Sequence, residues 1–484
     1  MQKGSYNGVH IDGNYTATIG LNNLLNALNN GAAPGTGINV LVDESHSMMG
    51  PIIPPTLVNY NVAVQNNIFG GYPSEAEAPG CIVFMVIFLI LGMFHLALFI
   101  VNFSRGHYFW LSLVWVGYCL DRFIGFTMWM EWGKNITNAK IGIASEVFLI
   151  VGSIILVTTN LVLAQRLFTW RHPVGGSRKL FWSIMLTLYA VVLIVIAITI
   201  VASTIPYFYT LSQSSYESYK KIVMVSAVLI LLYTLTAISL IALSYFFKPT
   251  TKDENLYTYQ PWWIESFHPF YFVRKNAARD AEETFMKRNR NHRHAIRVIA
   301  ATHHHYNMVE GLTNQRGTLK HNKSLFLIII TTLCVFTTSF CRAVAVFQAR
   351  INYHGGPTCN TIAAFMCWGV LEVIINVLYL VGRVDLRFYR PDVLPAKVRA
   401  IITAEQSYYP SDDEEIIKPT NYNTGSFDST STSPPPFEEK SHPNSLHFNE
   451  KSHYGGHYEG RNDPVNFMKF DNYDTSDNAS DFHF

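Results

Sequence analysis

The sequence predicts an all-α protein: a polytopic transmembrane bundle of about seven helices with disordered N- and C-terminal tails. Three observations carry this. Charged residues are 14% of the 484-residue chain and hydrophobic residues 49%, where soluble domains average roughly 25% charged. The apolar residues fall in long uninterrupted blocks, each near the ~20 residues that span a hydrocarbon core. Basic residues crowd into alternate connections, as the inner side of a membrane requires.

The chain opens on Met1-Gln2-Lys3-Gly4 without an apolar stretch typical of a cleavable signal, so targeting is expected to rest on the first span acting as a signal anchor. Residues 1–80 are expected to lie outside and to be mostly irregular. They are rich in Asn, Gly and Pro, with short patterned runs at Leu21–Leu28 and Ile38–Val42 and no cysteine before Cys81, so no disulfide can staple a small ectodomain.

The transmembrane domain, residues 81–390, contains spans at 81–103, 107–130, 141–167, 180–203, 222–247, 325–347 and 359–381. The second carries Asp121 and Arg122, each costing about 2.5–3.5 kcal/mol at mid-membrane, so it must lean on its neighbours. The fifth connection, residues 248–323, holds an aromatic stretch from Tyr257 to Phe272. A basic segment, Asn276 to about Leu312, follows and reads as helix. Residues 391–484 begin with a basic collar and become an acidic, Ser- and Pro-rich cytoplasmic tail too poor in apolar residues to fold. In it, Ser411 precedes Asp412-Asp413-Glu414-Glu415 and is a candidate for phosphorylation.

Before the first span the only basic residue is Lys3. Arg166, Arg171, Arg178 and Lys179 fill the third connection, and Lys287-Arg288-Asn289-Arg290 the fifth. The expected topology is therefore N-terminus outside and C-terminus in the cytoplasm, at the plasma membrane. The sequons at Asn14 and Asn135 then face outward as candidate glycosylation sites. The basic loops are expected to meet anionic inner-leaflet lipids or a cytoplasmic signalling or scaffold partner. They are not read as a nucleic-acid surface.

No phosphate loop, nucleophile elbow or zinc-type spacing occurs, so the sequence gives no reason to expect catalysis, a cofactor or a metal. Cys81 and Cys359 stand at the same mouth of the first and last spans and form a candidate disulfide. The informative residues are the intramembrane charges Asp121, Arg122, Glu146, Arg342 and Glu372, because charge at such depth serves function or pairing. With ~1.5 Å rise per residue the first four lie roughly 8–12 Å below the outer surface and Glu372 deeper. They form either a ligand site in one outer-half cavity or an ion-pair network locking the bundle. Asn160, Gln165 and Asn376 are expected to bond between helices, and Thr331, Thr332, Thr337 and Thr338 to their own helix.

Several strings carry a resemblance: Val116-Gly117-Tyr118-Cys119-Leu120-Asp121-Arg122, Met128-Trp129, Ala164-Gln165-Arg166 with His172-Pro173, Phe208-Tyr209-Thr210-Leu211, and Gly382-Arg383-Val384-Asp385-Leu386-Arg387-Phe388. Between Cys81 and Pro391, apart from most of the fifth connection, the chain resembles an uncharacterised family of fungal seven-span membrane proteins often labelled family C-like G-protein-coupled receptors. The resemblance implies seven spans and no established ligand, and its receptor label is a fold-level analogy. The leading expectation is an orphan receptor-like or sensor protein of the fungal cell surface. A membrane organiser and a lipid or small-molecule transporter are the alternatives, and they divide on whether the buried charges are open to one side, to both in turn, or sealed.

Overall fold

The computed structural model describes residues 4–6, 8–11, 13, 15–172, 179–246, 257–259, 270–273, 275, 299–300, 321–389 and 392–393. Among them, seven helices are long and apolar enough to cross a membrane: α4 (Ala78–Ser104), α5 (Leu111–Lys134), α6 (Ala139–Arg171), α7 (Lys179–Phe208), α8 (Gln213–Phe246), α9 (His321–Gln348) and α10 (Thr361–Val381). The chain is an integral multi-pass membrane protein. Most helices outrun their apolar blocks by a turn or so, since a helix satisfies its backbone as well in the headgroup region as in the core. α5 starts later than expected, at Leu111, because Gly106 ends α4. With φ at 81°, Gly106 donates to Phe103 O and His107 to Asn102 O, the two bonds of a Schellman stop.

α6 is the hub of the bundle, in contact with α5, α7, α8 and α9. Its most apolar stretch is 61% buried, against 22% for α4 and α7, whose Met93, Phe94, Leu193 and Ile194 point outward onto what a bilayer would cover. α5 also leans inward, as its charges demand, and buries Trp115, Trp129, Asp121 and Arg122. In α10, the turns from Phe365 to Leu371 are wound as π-helix. There Gly369 lets Phe84 of α4 approach so closely that an added Cβ would lie 2.4 Å from its ring. A short α11 (Val384–Arg387) follows.

The N-terminal segment departs from the sequence expectation. Instead of being mostly irregular it forms a hairpin of β1 (Gly4–Tyr6) and β2 (Val9–Ile11), then α1 (Tyr15–Leu28), α2 (Ile38–Met49) and α3 (Pro55–Val64). None of these would stand alone in water, and the segment's order comes from resting on the bundle. Gly37 N donates to Pro206 O and Ala33 N to Leu211 O, both at 2.8 Å, across the α7–α8 connection. Asn67 N donates to Arg350 O at 2.8 Å and Asn352 N to Gln65 O at 2.7 Å, across the α9–α10 connection. Such long-range bonds leave no local trace in a sequence. Gly37 is obligatory there, with φ at 65° and a would-be Cβ 2.5 Å from Thr210 Cγ2.

Three short strands, β3 (Tyr257–Tyr259), β4 (Ile299–Ala300) and β5 (Asp392–Val393), pair with β3 in the middle. Ile299 and Ala300 were expected in a helix and instead pair antiparallel with Thr258 and Tyr259, where β-branched Ile suits an extended backbone. The remainder of that expected helix, the acidic tail with Ser411, and Asn14 lie outside the described residues.

Candidate functional site

The seven-residue spacing of Glu146, Ser153 and Asn160 sets them on one side of α6, about 10 Å apart along the axis. Each anchors a different polar group. Uppermost is a cavity of about 220 Å3, roofed by the N-terminal segment and walled by α6, α7, α8, α9 and α10. Ile38, Leu41 and Leu57 of the roof and Ile143, Val147 and Ile150 of α6 give it an apolar lining. Into that lining project Glu146 and Arg342.

These two heads face each other within electrostatic reach, yet form no hydrogen bond or close ion pair with each other or with any other described residue. Glu146 Oε1 is buried and unbonded, as are both amide atoms of Asn67, another lining residue. Arg342 is 7% exposed. Tyr72, also on the wall, donates to Asn66 O at 3.2 Å. Burial, reinforced by Tyr207, holds its phenol well above the usual range, so it stays protonated. Lys220, at the same wall, is engaged over the Tyr216 ring at 4.8 Å.

About two turns deeper the second group is closed. Arg122 Nε donates to Glu372 Oε2 at 2.5 Å and Nη2 to Oε1 at 2.6 Å, a bidentate pair. Arg122 also donates to Leu149 O at 2.6 Å and Ser153 Oγ at 2.8 Å, and Tyr118 donates to Glu372. With side-chain exposures of 0% and 1% the pair is sealed. Asp121 points to α6 at Gly152, where a Cβ would lie 2.3 Å from its Oδ2. That oxygen is buried and unbonded. The third group joins Asn160 to Thr332, at 2.6 Å, and accepts from Thr331 and Tyr379.

The five charges therefore do not form one set. Arg122 and Glu372 pair, Glu146 and Arg342 face the cavity, and Asp121 lies beside the pair. The expected interhelical bonds of Asn160 and Gln165 are present, the latter from Tyr189. Asn376 bonds Glu372 O of its own helix and accepts from Cys119 of α5 at 3.9 Å. Thr331, Thr337 and Thr338 bond back to Ile328, Leu333 and Cys334, whereas Thr332, expected to do the same, accepts from Asn160 across the helix interface. Cys81 and Cys359 are both free thiols, a correction to the proposed bridge. Cys81 is turned into the core at 1% exposure, while Cys359 Sγ rests 3.9 Å from Thr358 Oγ1. Asn135 is exposed, its Oδ1 accepting from Thr137 N and Oγ1. Sequence reasoning missed Tyr118, Ser153, Asn67 and Tyr72. Only Ser153 carried a signal, its place midway between Glu146 and Asn160.

At the opposite end of the bundle a further polar cluster ties the helices together. Arg383, in the left-handed region at φ 48°, donates through Nε and Nη2 to both oxygens of Asp385, at 2.9 and 2.6 Å. Asn102 donates to the same carboxylate at 2.8 Å, and His107 bonds Asp385 O at 2.8 Å. Arg166 donates to Phe388 O and Arg387 to Gly382 O. Despite burial, the Arg383 guanidinium keeps the Asp385 carboxyl below its usual range. These bonds fasten the Arg383–Phe388 segment to Asn102, His107 and Arg166.

Residues 173–389 match a family described only as a protein of unknown function, DUF3112. The match takes in Arg342, Glu372 and the Arg383–Phe388 cluster and leaves out α1 to α6, with Asp121, Arg122 and Glu146. No curated protein and no solved structure matches the chain.

Proposed function

We propose that this protein is a receptor-like sensor that takes a small ligand into the cavity beneath its N-terminal segment. The observation that carries the reading is the contrast between two acid–base pairs in one bundle. Arg122 and Glu372 are bonded to each other and sealed. Glu146 and Arg342 are left unbonded on a cavity wall. A buried polar atom left without a hydrogen bond costs about 1–3 kcal/mol, and a cavity of 220 Å3 exceeds the ~150 Å3 space that admits benzene in an engineered core. Charges that only locked the helices would be bonded like the deeper pair.

On this reading the N-terminal segment faces the outside of the plasma membrane, Asn135 is open to glycosylation, and the basic connections meet anionic inner-leaflet lipids and a signalling or scaffold partner. The sealed Arg122–Glu372 pair is what a membrane organiser would also need, and that reading stands second.

The test is single-cysteine labelling of intact cells with an impermeant maleimide, in a background carrying Cys359→Ser. Cysteines replace Glu146, Arg342, Asp121 and, as a surface control, Thr16. Labelling at Glu146 and Arg342 with protection at Asp121 supports the sensor. Protection at both cavity positions, with Thr16→Cys labelled, favours the organiser. Labelling of the same cavity cysteines from the cytoplasmic face as well, read with the same reagent in inside-out vesicles, indicates transport.

A further inference from the structure

Resting on the sensor reading, we infer that the cavity selects a small zwitterion with an apolar body, its anionic group held by Arg342 and its ammonium by Glu146. A guanidinium takes a carboxylate or phosphate in a forked, charge-assisted bond, and a carboxylate accepts from an ammonium. Both protein groups line one space, both lack a bonded partner among the described residues, and one is a carboxyl group and the other a guanidinium. A ligand with one charge would bond one head and leave the other without a bond, which is the less favourable outcome. A zwitterion satisfies both and adds no net charge to the bundle.

The rest of the lining sets the ligand's size and body. Ile143, Val147 and Ile150 on one side and Leu41 and Leu57 on the other present only hydrocarbon, so the ligand's remaining atoms are apolar. The buried amide of Asn67 offers a further donor and acceptor on the same wall. A volume of about 220 Å3 admits one ring or branched chain with its head, so a lipid would enter by its headgroup with its acyl chain outside. The same head chemistry has two sources, an amino-acid-like solute and the phosphoethanolamine headgroup of a lipid.

The experiment uses the full chain in an uncharged maltoside detergent and four probes sharing one apolar body: phenylalanine, phenylpropionate, phenethylamine and propylbenzene. Lysophosphatidylethanolamine is the lipid arm. Saturable binding is read by microcalorimetry, and thermal shifts confirm it. Phenylalanine or the lysolipid is expected to bind roughly 10- to 100-fold more tightly than either singly charged probe, the weight of one charge-assisted contact. Arg342→Gln should erase the advantage over phenethylamine, and Glu146→Gln the advantage over phenylpropionate. Stronger binding by the lysolipid than by phenylalanine assigns the zwitterion to the membrane, and the reverse assigns it to solution.

Equal affinity for the charged and uncharged probes, with cavity cysteines labelled, overturns the zwitterion while leaving the sensor intact. No saturable binding of any probe up to about 10 mM overturns it as well. Protected cavity cysteines would fell the sensor reading itself. Because the order of affinities is read in the unsubstituted protein, a variant that fails to fold does not remove the test.

Discussion

Removing the carboxylate charge of Glu372 while keeping its shape, by Glu372→Gln, is the sharpest perturbation of the bundle. Arg122 has two bonds to that carboxylate, at 2.5 and 2.6 Å, and two that survive, to Leu149 O and Ser153 Oγ. A bond to a charged partner is worth about 1.5–3 kcal/mol net. Weakening two of them around a guanidinium with 0% exposure should cost about 3–5 kcal/mol, the usual price of orphaning one member of a buried pair. Arg122→Met should cost a similar amount. The double variant should lose clearly less than the sum, with a coupling of about 2 kcal/mol or more, because no uncompensated charge is left. Tryptophan fluorescence during thermal unfolding is a suitable assay, since the Trp368 ring lies 6.0 Å from Arg122 Cζ. A loss below about 1 kcal/mol for Glu372→Gln, or strictly additive losses, would refute the view that this pair stands or falls as a unit.

Three further outcomes follow from the structure. Gly152→Ala brings a methyl group to 2.3 Å from Asp121 Oδ2 and 2.9 Å from Arg122 Cζ. It should destabilise by about 1–3 kcal/mol from overpacking, although Ala is the better helix former; a more stable protein in the same unfolding assay contradicts the placement of Asp121. Gly37→Ala forces a side chain onto a backbone at φ 65° and into Thr210, a strain of about 1–2 kcal/mol. It should loosen the roof and speed maleimide labelling of a cavity cysteine, and an unchanged rate means that Gly37 does not hold the roof. His107 is held below its ordinary value of 6.5 by burial, with the Arg383 charge adding to this and Asp385 opposing it, and Asp385 is held below 3.8. For depressed groups the stabilisation is complete above the unfolded value and is lost as pH falls through the folded one. Acid should therefore loosen the Arg383 end in two stages, below pH 6.5 and again below 3.8, and His107→Asn should remove the first stage from a stability-versus-pH curve.

Much of the membrane domain was legible because hydrophobic length is a strong signal. Each of the seven expected spans corresponds to a long apolar helix among the described residues, and the charges of α5 correctly implied that it turns inward. The polar residues of α6 and α9 announced their bonds for the same reason, since an amide or hydroxyl inside hydrocarbon must find a partner. The pairing of the five charges was not legible. Depth follows from counting residues, but which guanidinium meets which carboxylate depends on rotation about each helix axis. In α10 the π-helical turns from Phe365 to Leu371 shift the phase just before Glu372, so a 3.6-residue period misplaces it. The roof escaped notice because its helices are short and its decisive bonds run from Gly37 to Pro206 and from Asn67 to Arg350. Glycines with positive φ at Gly37, Gly70 and Gly71 read in the sequence only as irregularity.

The cavity and the sealed pair share structural parts, which makes their independence testable. Leu149, whose carbonyl accepts from Arg122, is one turn from Glu146 on α6, and Trp368 both lines the cavity and sits beside the Arg122 guanidinium. A change at the pair therefore moves one turn of cavity wall and one aromatic ring. A coupling of 1 kcal/mol, the low end for linked sites, corresponds to about a fivefold change in an equilibrium. The reporter is a cysteine at Val147, a wall residue that leaves Glu146 and Arg342 in place. If opening precedes labelling, Glu372→Gln should raise its maleimide reaction rate about fivefold, while Thr16→Cys at the surface keeps its rate. Equal rates at Val147→Cys with and without Glu372→Gln would show that the pair only braces the bundle, and that whatever the cavity senses must leave through the roof or through α9.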